Sequence, residues 1–282
     1  MGTVLGLDPA WTESNPSGVA LLDDVGAHWH CPGLAPSYDS FIALAHGVSV
    51  DWRANPVGGD PVPEPVLDAA ATLAPGVDAD VVAVDMPVSR ASFTGRRRAD
   101  DLASRILSGA GCGVHSPMPA RPGRLSLKLR DGFAARGFQV GTTGPLGAGK
   151  RPLLEVYPHP AAMSLLGERY RLPYKIGRTT RYWPDEPLER RIANLLEVWT
   201  RLIDALSATI DGIDLPLPAI AQGATLSGMK RYEDALDALM CARVGTQFLE
   251  GRCALLGERD AAIWVPPVPG LDFGSYSTLY TA

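Results

Sequence analysis

Val81-Val82-Ala83-Val84-Asp85-Met86-Pro87 is an apolar run that ends on a carboxylate and is then stopped by a proline. Four apolar residues in a row, three of them β-branched, are too short for a helix and fit a strand covered on both faces of a sheet. Pro87 cannot donate to a ladder. The strand is therefore expected to leave Asp85 at its carboxyl end, the edge where open α/β sheets put their ligands. A carboxylate buried there is costly unless it is paired, hydrogen-bonded or coordinating a metal. The alternative is an Asp that caps a following turn.

The same pattern opens the chain. Thr3-Val4-Leu5-Gly6-Leu7-Asp8 reads as a first strand ending in an acid, broken by Pro9-Ala10-Trp11. Residues 18–22 and 27–31 flank a turn at Asp23-Asp24 at hairpin spacing, so the sheet is expected to begin as an antiparallel meander rather than as a βαβ unit. Residues 153–158 form another short apolar strand, interrupted by Glu155 and ended by Pro158. Helical spacing marks 38–46, 65–73, a stretch after Ala99, 125–136, 161–166, 188–210 and 230–248. Residues 50–65 read as a loop, 137–140 as the exit from a helix, 173–187 as an irregular cationic segment, and 257–270 as one closing strand or extended tail. With no internal repeat and no clear linker, residues 1–282 are expected to form a single α/β domain with loop and helical insertions.

Composition bounds the function. A chain of 282 residues that is 46% hydrophobic and 20% charged can bury a large core. A net charge of −5 argues against clinging to nucleic acid by bulk charge, so any such contact must rest on local basic groups or on metals. Four cysteines show neither paired metal-site spacing nor a disulfide framework, and no signal peptide or membrane-spanning run is evident, which leads us to expect free thiols in a cytoplasmic protein without membrane partners. The oligomeric state is not legible.

Asp8, Asp85, Glu155, Asp234 and Asp237 are the acids at strand ends or on the inner face of a helix. Mg²⁺ takes hard oxygen ligands and is usually held by one or two carboxylates plus substrate phosphates. Two such ions about 3.5–4 Å apart can activate a water and stabilise a leaving oxygen. Asp234 and Asp237 lie three apart on one helix face, where like charges repel unless a cation sits near. Flanking Ala and Leu residues favour Asp237 as the inward acid, with Asp234 the secondary candidate. Caps and surface charges are the competing reading of all five. Gly144 to Lys150 matches part of a phosphate-binding loop, but Arg151 stands where Ser or Thr should follow and no strand directly precedes it, so we reject it. His159 could meet a phosphate or belong to a turn, and Arg96 to Arg98, Arg121 and Arg124 could clamp phosphates or lie on a solvated face.

Several segments together resemble the family catalogued as domain of unknown function 429, predicted nucleases of RNase H-like fold. They are Gly6-Leu7-Asp8, Val84-Asp85-Met86-Pro87, Arg98-x-Asp100 with Arg105, Leu154-Glu155-Val156-Tyr157-Pro158-His159-Pro160, Lys175, and Asp234-Ala235-Leu236-Asp237-Ala238-Leu239. The resemblance implies an RNase H-like mixed sheet, antiparallel over its first three strands and then parallel, flanked by helices. It also implies a Mg²⁺- or Mn²⁺-dependent nuclease with Asp8, Asp85 and Asp237 as metal ligands and Glu155 as a fourth acid, while Arg98, His159 and Lys175 line the site. The substrate would be nucleic acid or a nucleotide. A nucleotide or phospho-ligand enzyme on the same fold and a degenerate, non-catalytic binding domain stay open as alternatives.

Overall fold

The computed structural model describes residues 2–75, 78–92, 94–219 and 225–274. Its strands are β1 (Thr3–Asp8), β2 (Gly18–Asp24), β3 (Trp29–Ala35), β4 (Val81–Val84), β5 (Phe138–Val140), β6 (Arg151–Val156), β7 (Ile210–Asp211), β8 (Ala254–Gly257) and β9 (Ala262–Val265). Its helices are α1 (Tyr38–Ala45), α2 (Pro63–Leu73), α3 (Arg98–Leu107), α4 (Gly123–Ala135), α5 (Pro158–Leu166), α6 (Thr179–Tyr182), α7 (Leu188–Ser207) and α8 (Leu226–Leu249). The strands form one mixed sheet in the order β7-β3-β2-β1-β4-β6-β9-β8, with β5 pairing beside β6.

The expected meander is present, since β1 pairs antiparallel with β2 and β2 with β3. From β1 the sheet continues in parallel through β4 and β6 to β9. All four residues of β4 are buried, as a strand covered on both faces requires.

Side chains of a strand alternate between faces, and here that alternation sorts two cores. Val4, Val81, Ala83, Leu154 and Val156 pack with residues of α5, α7 and α8 on one face. Leu5, Leu7, Val82, Val84 and Leu153 pack with α1, α2 and α4 on the other. A third cluster joins α3 to β8 and β9. Asp8 and Asp85 thus share the parity of the α8 face, whereas Glu155 has the parity of Leu153 and belongs to the opposite one.

The last long helix, α8, lies across β1, β2 and β4. Its seat depends on missing side chains. A Cβ added at Gly6 would stand 2.3 Å from the Ala238 carbonyl oxygen and 2.4 Å from the Ala242 nitrogen, and one at Gly18 would stand 2.0 Å from the Asp234 carbonyl oxygen. Backbone cannot yield as a flexible side chain does. Gly6→Ala is therefore expected to exceed the roughly 1–3 kcal/mol of ordinary overpacking. A urea titration that found wild-type stability would show that α8 rides less closely on β1 than this.

Besides the one-turn helix α6 inside the segment 173–187 expected to be irregular, three local expectations differ from the structure. β3 runs on past residue 31 through Pro32, which the sheet accommodates by a register shift opposite residues 21–23 of β2. Residues 138–140, expected as a simple exit, form the short parallel strand β5. The closing segment is a hairpin of β8 and β9 rather than one strand. Each is a strand of seven residues or fewer whose partner is remote or whose own alternation is too short to read. Residues 220–222 of the expected Pro-rich link lie outside the described residues.

Candidate active site

Leu7 of β1 pairs with Val84 of β4, and the Asp85 N–H donates to the Leu7 carbonyl at 3.0 Å. The residues that follow, Asp8 and Asp85, therefore leave the carboxyl ends of two adjacent parallel strands side by side. Asp234 and Asp237 come from α8, brought over those ends by the close approach at Gly6 and Gly18. Among them opens a cleft of about 490 Å³ lined by Asp8, Asp85, Asp234, Glu155, His159 and Lys175, among others.

The acids differ in their partners. Asp237 is fully buried; its Oδ1 accepts from the Tyr174 hydroxyl at 2.9 Å and its Oδ2 from the Lys175 ammonium. Tyr174 is held in turn by the Trp199 indole N–H, which donates to its carbonyl at 2.8 Å. Asp234 accepts from Lys230, one turn back on the same helix, and Glu233 accepts from Lys230 at 2.8 Å and from the Ile176 N–H at 2.5 Å. Asp8 and Asp85, both half-buried, receive no side-chain hydrogen bond or ion pair from any described residue.

Electrostatics follows from this crowding. Burial, with repulsion from Asp237, Asp234 and Asp85, pushes the Asp8 carboxyl well above the usual range. Burial raises Asp85 to about 7 against the pull of Lys175, and Asp234 to about 6 against the pull of Lys230. Burial would strip the proton from Lys175, but Asp237, Glu233, Asp8 and Asp85 outweigh it and hold the ammonium charged. His159 is buried, and desolvation together with Lys175, Arg171 and Arg178 keeps its imidazole neutral well below its ordinary pKa.

Glu155 is engaged elsewhere. Its two oxygens accept from the Arg97 guanidinium at 2.6 Å each, and Oε2 also accepts from the Val88 N–H at 2.9 Å. Arg97 turns its other edge to Asp100, at 2.6 Å and 3.1 Å, and donates to the Val88 carbonyl at 3.0 Å. Burial alone would loosen the Arg97 proton; Glu155 and Asp100 reverse that and raise its pKa. Arg98, the neighbour expected to line the site, is instead half exposed and 3.5 Å from Glu258. The reason lies in the helix start. Arg97 is the N-cap of α3 and folds inward to Asp100 at N3, while Arg98 is the first helical residue and faces out.

The structure therefore brings together Asp8, Asp85, Asp234, Asp237, Lys175 and His159, engages Glu155 in a buried ion pair on the other face of the sheet, and leaves Arg98 apart. Reading the sequence placed Arg97 only within the run Arg96 to Arg98, without its pairing to Glu155 and Asp100, and missed Lys230 and Glu233. The spacing that could have found Lys230 was present, because it stands three and four residues before two buried acids on one helix.

Among the described residues, no three His, Cys, Asp or Glu side chains stand together as a metal-holding group. What stands open are two neighbouring carboxylates without a protein partner. Such oxygens suit a hard divalent cation that keeps its waters and draws other ligands from a phosphate.

A model of the family described as protein of unknown function (DUF429) matches residues 6–262, nearly the whole chain. The chain belongs to the DUF429 family. No curated protein and no solved structure matches this DUF429 chain. In this DUF429 member the matched span runs from Gly6 to β9 and so contains every acid of the cleft.

Proposed function

We propose that this DUF429 protein is a metal-dependent phosphodiester hydrolase, a nuclease of RNase H-like fold, that holds Mg²⁺ or Mn²⁺ on Asp8 and Asp85. The observation that carries the reading is the pair of unpartnered carboxylates at the ends of adjacent parallel strands, overlaid by an acidic helix. The strand order β3-β2-β1-β4-β6, antiparallel and then parallel, supports the RNase H-like assignment.

A divalent ion held there would lower the pKa of a water to make a nucleophile and offset charge on the phosphate. The chain's own residues set the conditions for this. Lys175 and Lys230 keep Asp237 and Asp234 from adding their full repulsion to Asp8 and Asp85. Tyr174, clamped by Trp199, fixes the Asp237 rotamer. Arg97 ties Glu155 to the start of α3 and so fixes the segment that follows Asp85.

The test is direct. Repelling carboxylates make the empty site costly, so millimolar Mg²⁺ or Mn²⁺ is expected to raise the melting temperature, by about 2.7 kcal/mol of stability when the ion stands at 100 times its Kd. The same ions are expected to switch on cleavage of a panel of single-stranded, duplex and branched nucleic acids. No shift and no cleavage with either ion would overturn the proposal and favour a non-catalytic binding domain.

A further inference from the structure

One end of the cleft differs from the acidic floor. His159, Arg171 and Arg178 all line it, and Arg171 and Arg178 both lie close enough to His159 to depress its pKa. Neither guanidinium has a carboxylate partner among the described residues. Arg171 makes only a long 3.4 Å contact to the Gly111 carbonyl, and its Nε is buried without a partner. Arg178 makes no side-chain hydrogen bond among the described residues. The His159 ring is set between Tyr157 and Tyr174, 5.5 Å and 5.0 Å away, and its Nδ1 is likewise buried with nothing to bond.

Tyr157, Pro158 and His159 at the start of α5 also line the cleft; with prolines at 158 and 160, the first three helical positions offer only the His159 N–H, so the side chains rather than the helix end supply the donors. Buried polar nitrogens such as Arg171 Nε and His159 Nδ1 are costly to leave without a partner. In contrast, the lysines beside them are already neutralised by Asp237, Asp234 and Glu233.

We propose that His159, Arg171 and Arg178 form a phosphate subsite next to the carboxylates that takes a terminal phosphomonoester of the substrate. A phosphomonoester carries about −1.5 to −2 charges at pH 7 and three strong acceptor oxygens. Two free guanidiniums match that charge, and their fork geometry matches those oxygens. An internal diester, with one charge, would leave one cation unpaired. The inference rests on the cleft being the substrate site but needs no hydrolysis.

The experiment is calorimetry in EDTA with inorganic phosphate, then with oligonucleotides that differ only in a terminal phosphate. Wild-type protein is expected to bind phosphate and to prefer the phosphorylated oligonucleotide. Arg178→Ala and Arg171→Ala are each expected to weaken phosphate binding at least tenfold, while Arg201→Ala, at an exposed position of α7, leaves it unchanged. Circular dichroism melts establish that the variants are folded, and the half-exposed Arg178 is the safer of the two. Phosphate binding equal in wild type and Arg178→Ala, or absent altogether, would overturn the subsite. Loss of phosphate binding in Arg178→Ala, beside normal cleavage by an Asp85 variant, would keep the subsite and sink the metal-hydrolase reading.

Discussion

Asp85→Asn is expected to cut divalent-metal-dependent cleavage by roughly 100-fold or more, since even loss of a group that only supports a metal ligand costs 10–100-fold. The melting temperature should not fall. Asn keeps the size of the side chain and removes a charge that Asp8 and Asp237 repel, so the folded protein loses function and not stability, as residues kept for activity often do. The pH dependence gives a second readout. With burial raising Asp85 to about 7 from an ordinary 3.8, the folded chain holds a proton that the unfolded chain releases in the window between those values. This group's contribution is therefore fully present below about pH 4 and is lost as pH rises through about 7. The Asn variant cannot titrate there. Its melting temperature should decline less than wild type's across pH 4–8. Undiminished cleavage by Asp85→Asn would remove the acid from the mechanism, whatever its pH profile.

Arg97→Met is expected to be the most destabilising single change outside the packed core. Removing one partner of a buried ion pair leaves uncompensated charge and costs roughly 3–5 kcal/mol. For a domain of this size that corresponds to a fall in melting temperature of about 6–20 °C. Glu155 and Asp100 would both be stranded, being 4% and 1% exposed. Met fills much of the same volume, so the loss reports on charge rather than on a cavity. Stranded carboxylates take up protons more readily when folded than when unfolded, so the deficit should shrink as pH falls. Adding Glu155→Gln to the Met variant should recover part of the loss. A melting temperature within about 2 °C of wild type at pH 8 would mean that the ion pair contributes no net stability, as some surface pairs do.

The sequence carried the skeleton of this site for physical reasons that can be named. Val81 to Pro87 is legible because a two-sided buried strand leaves an uninterrupted apolar run, and the acid that ends it stands out against that run. Asp8 is legible for the same reason, with the proline after it marking the end of β1. Asp237 stood out because its neighbours are Ala and Leu on every side. The choice between Arg97 and Arg98 was not legible from the run of three arginines, because it turns on which residue starts α3, and helix ends are the least certain feature of a pattern. Glu155 looked like Asp85, an acid at a strand's end, yet its parity along β6 puts it on the other face. Arg171 left no trace, since it reaches the cleft from the segment after α5, which has no periodic pattern to mark it.

The glycine seats under α8 carry a consequence for how the protein comes into being. Asp8 and Asp85 are made early, but the acids that complete the cluster arrive on the last helix, whose docking requires the β1–β2 surface already to be in place. Contacts this distant in sequence close late, because the loop entropy must be met before they contribute. A chain still on the ribosome short of α8 thus has two acidic strand ends and none of Lys230, Glu233, Asp234 and Asp237 over them. The cleft is therefore assembled only once α8 has docked on β1 and β2, so its two halves are brought together by a single late packing event.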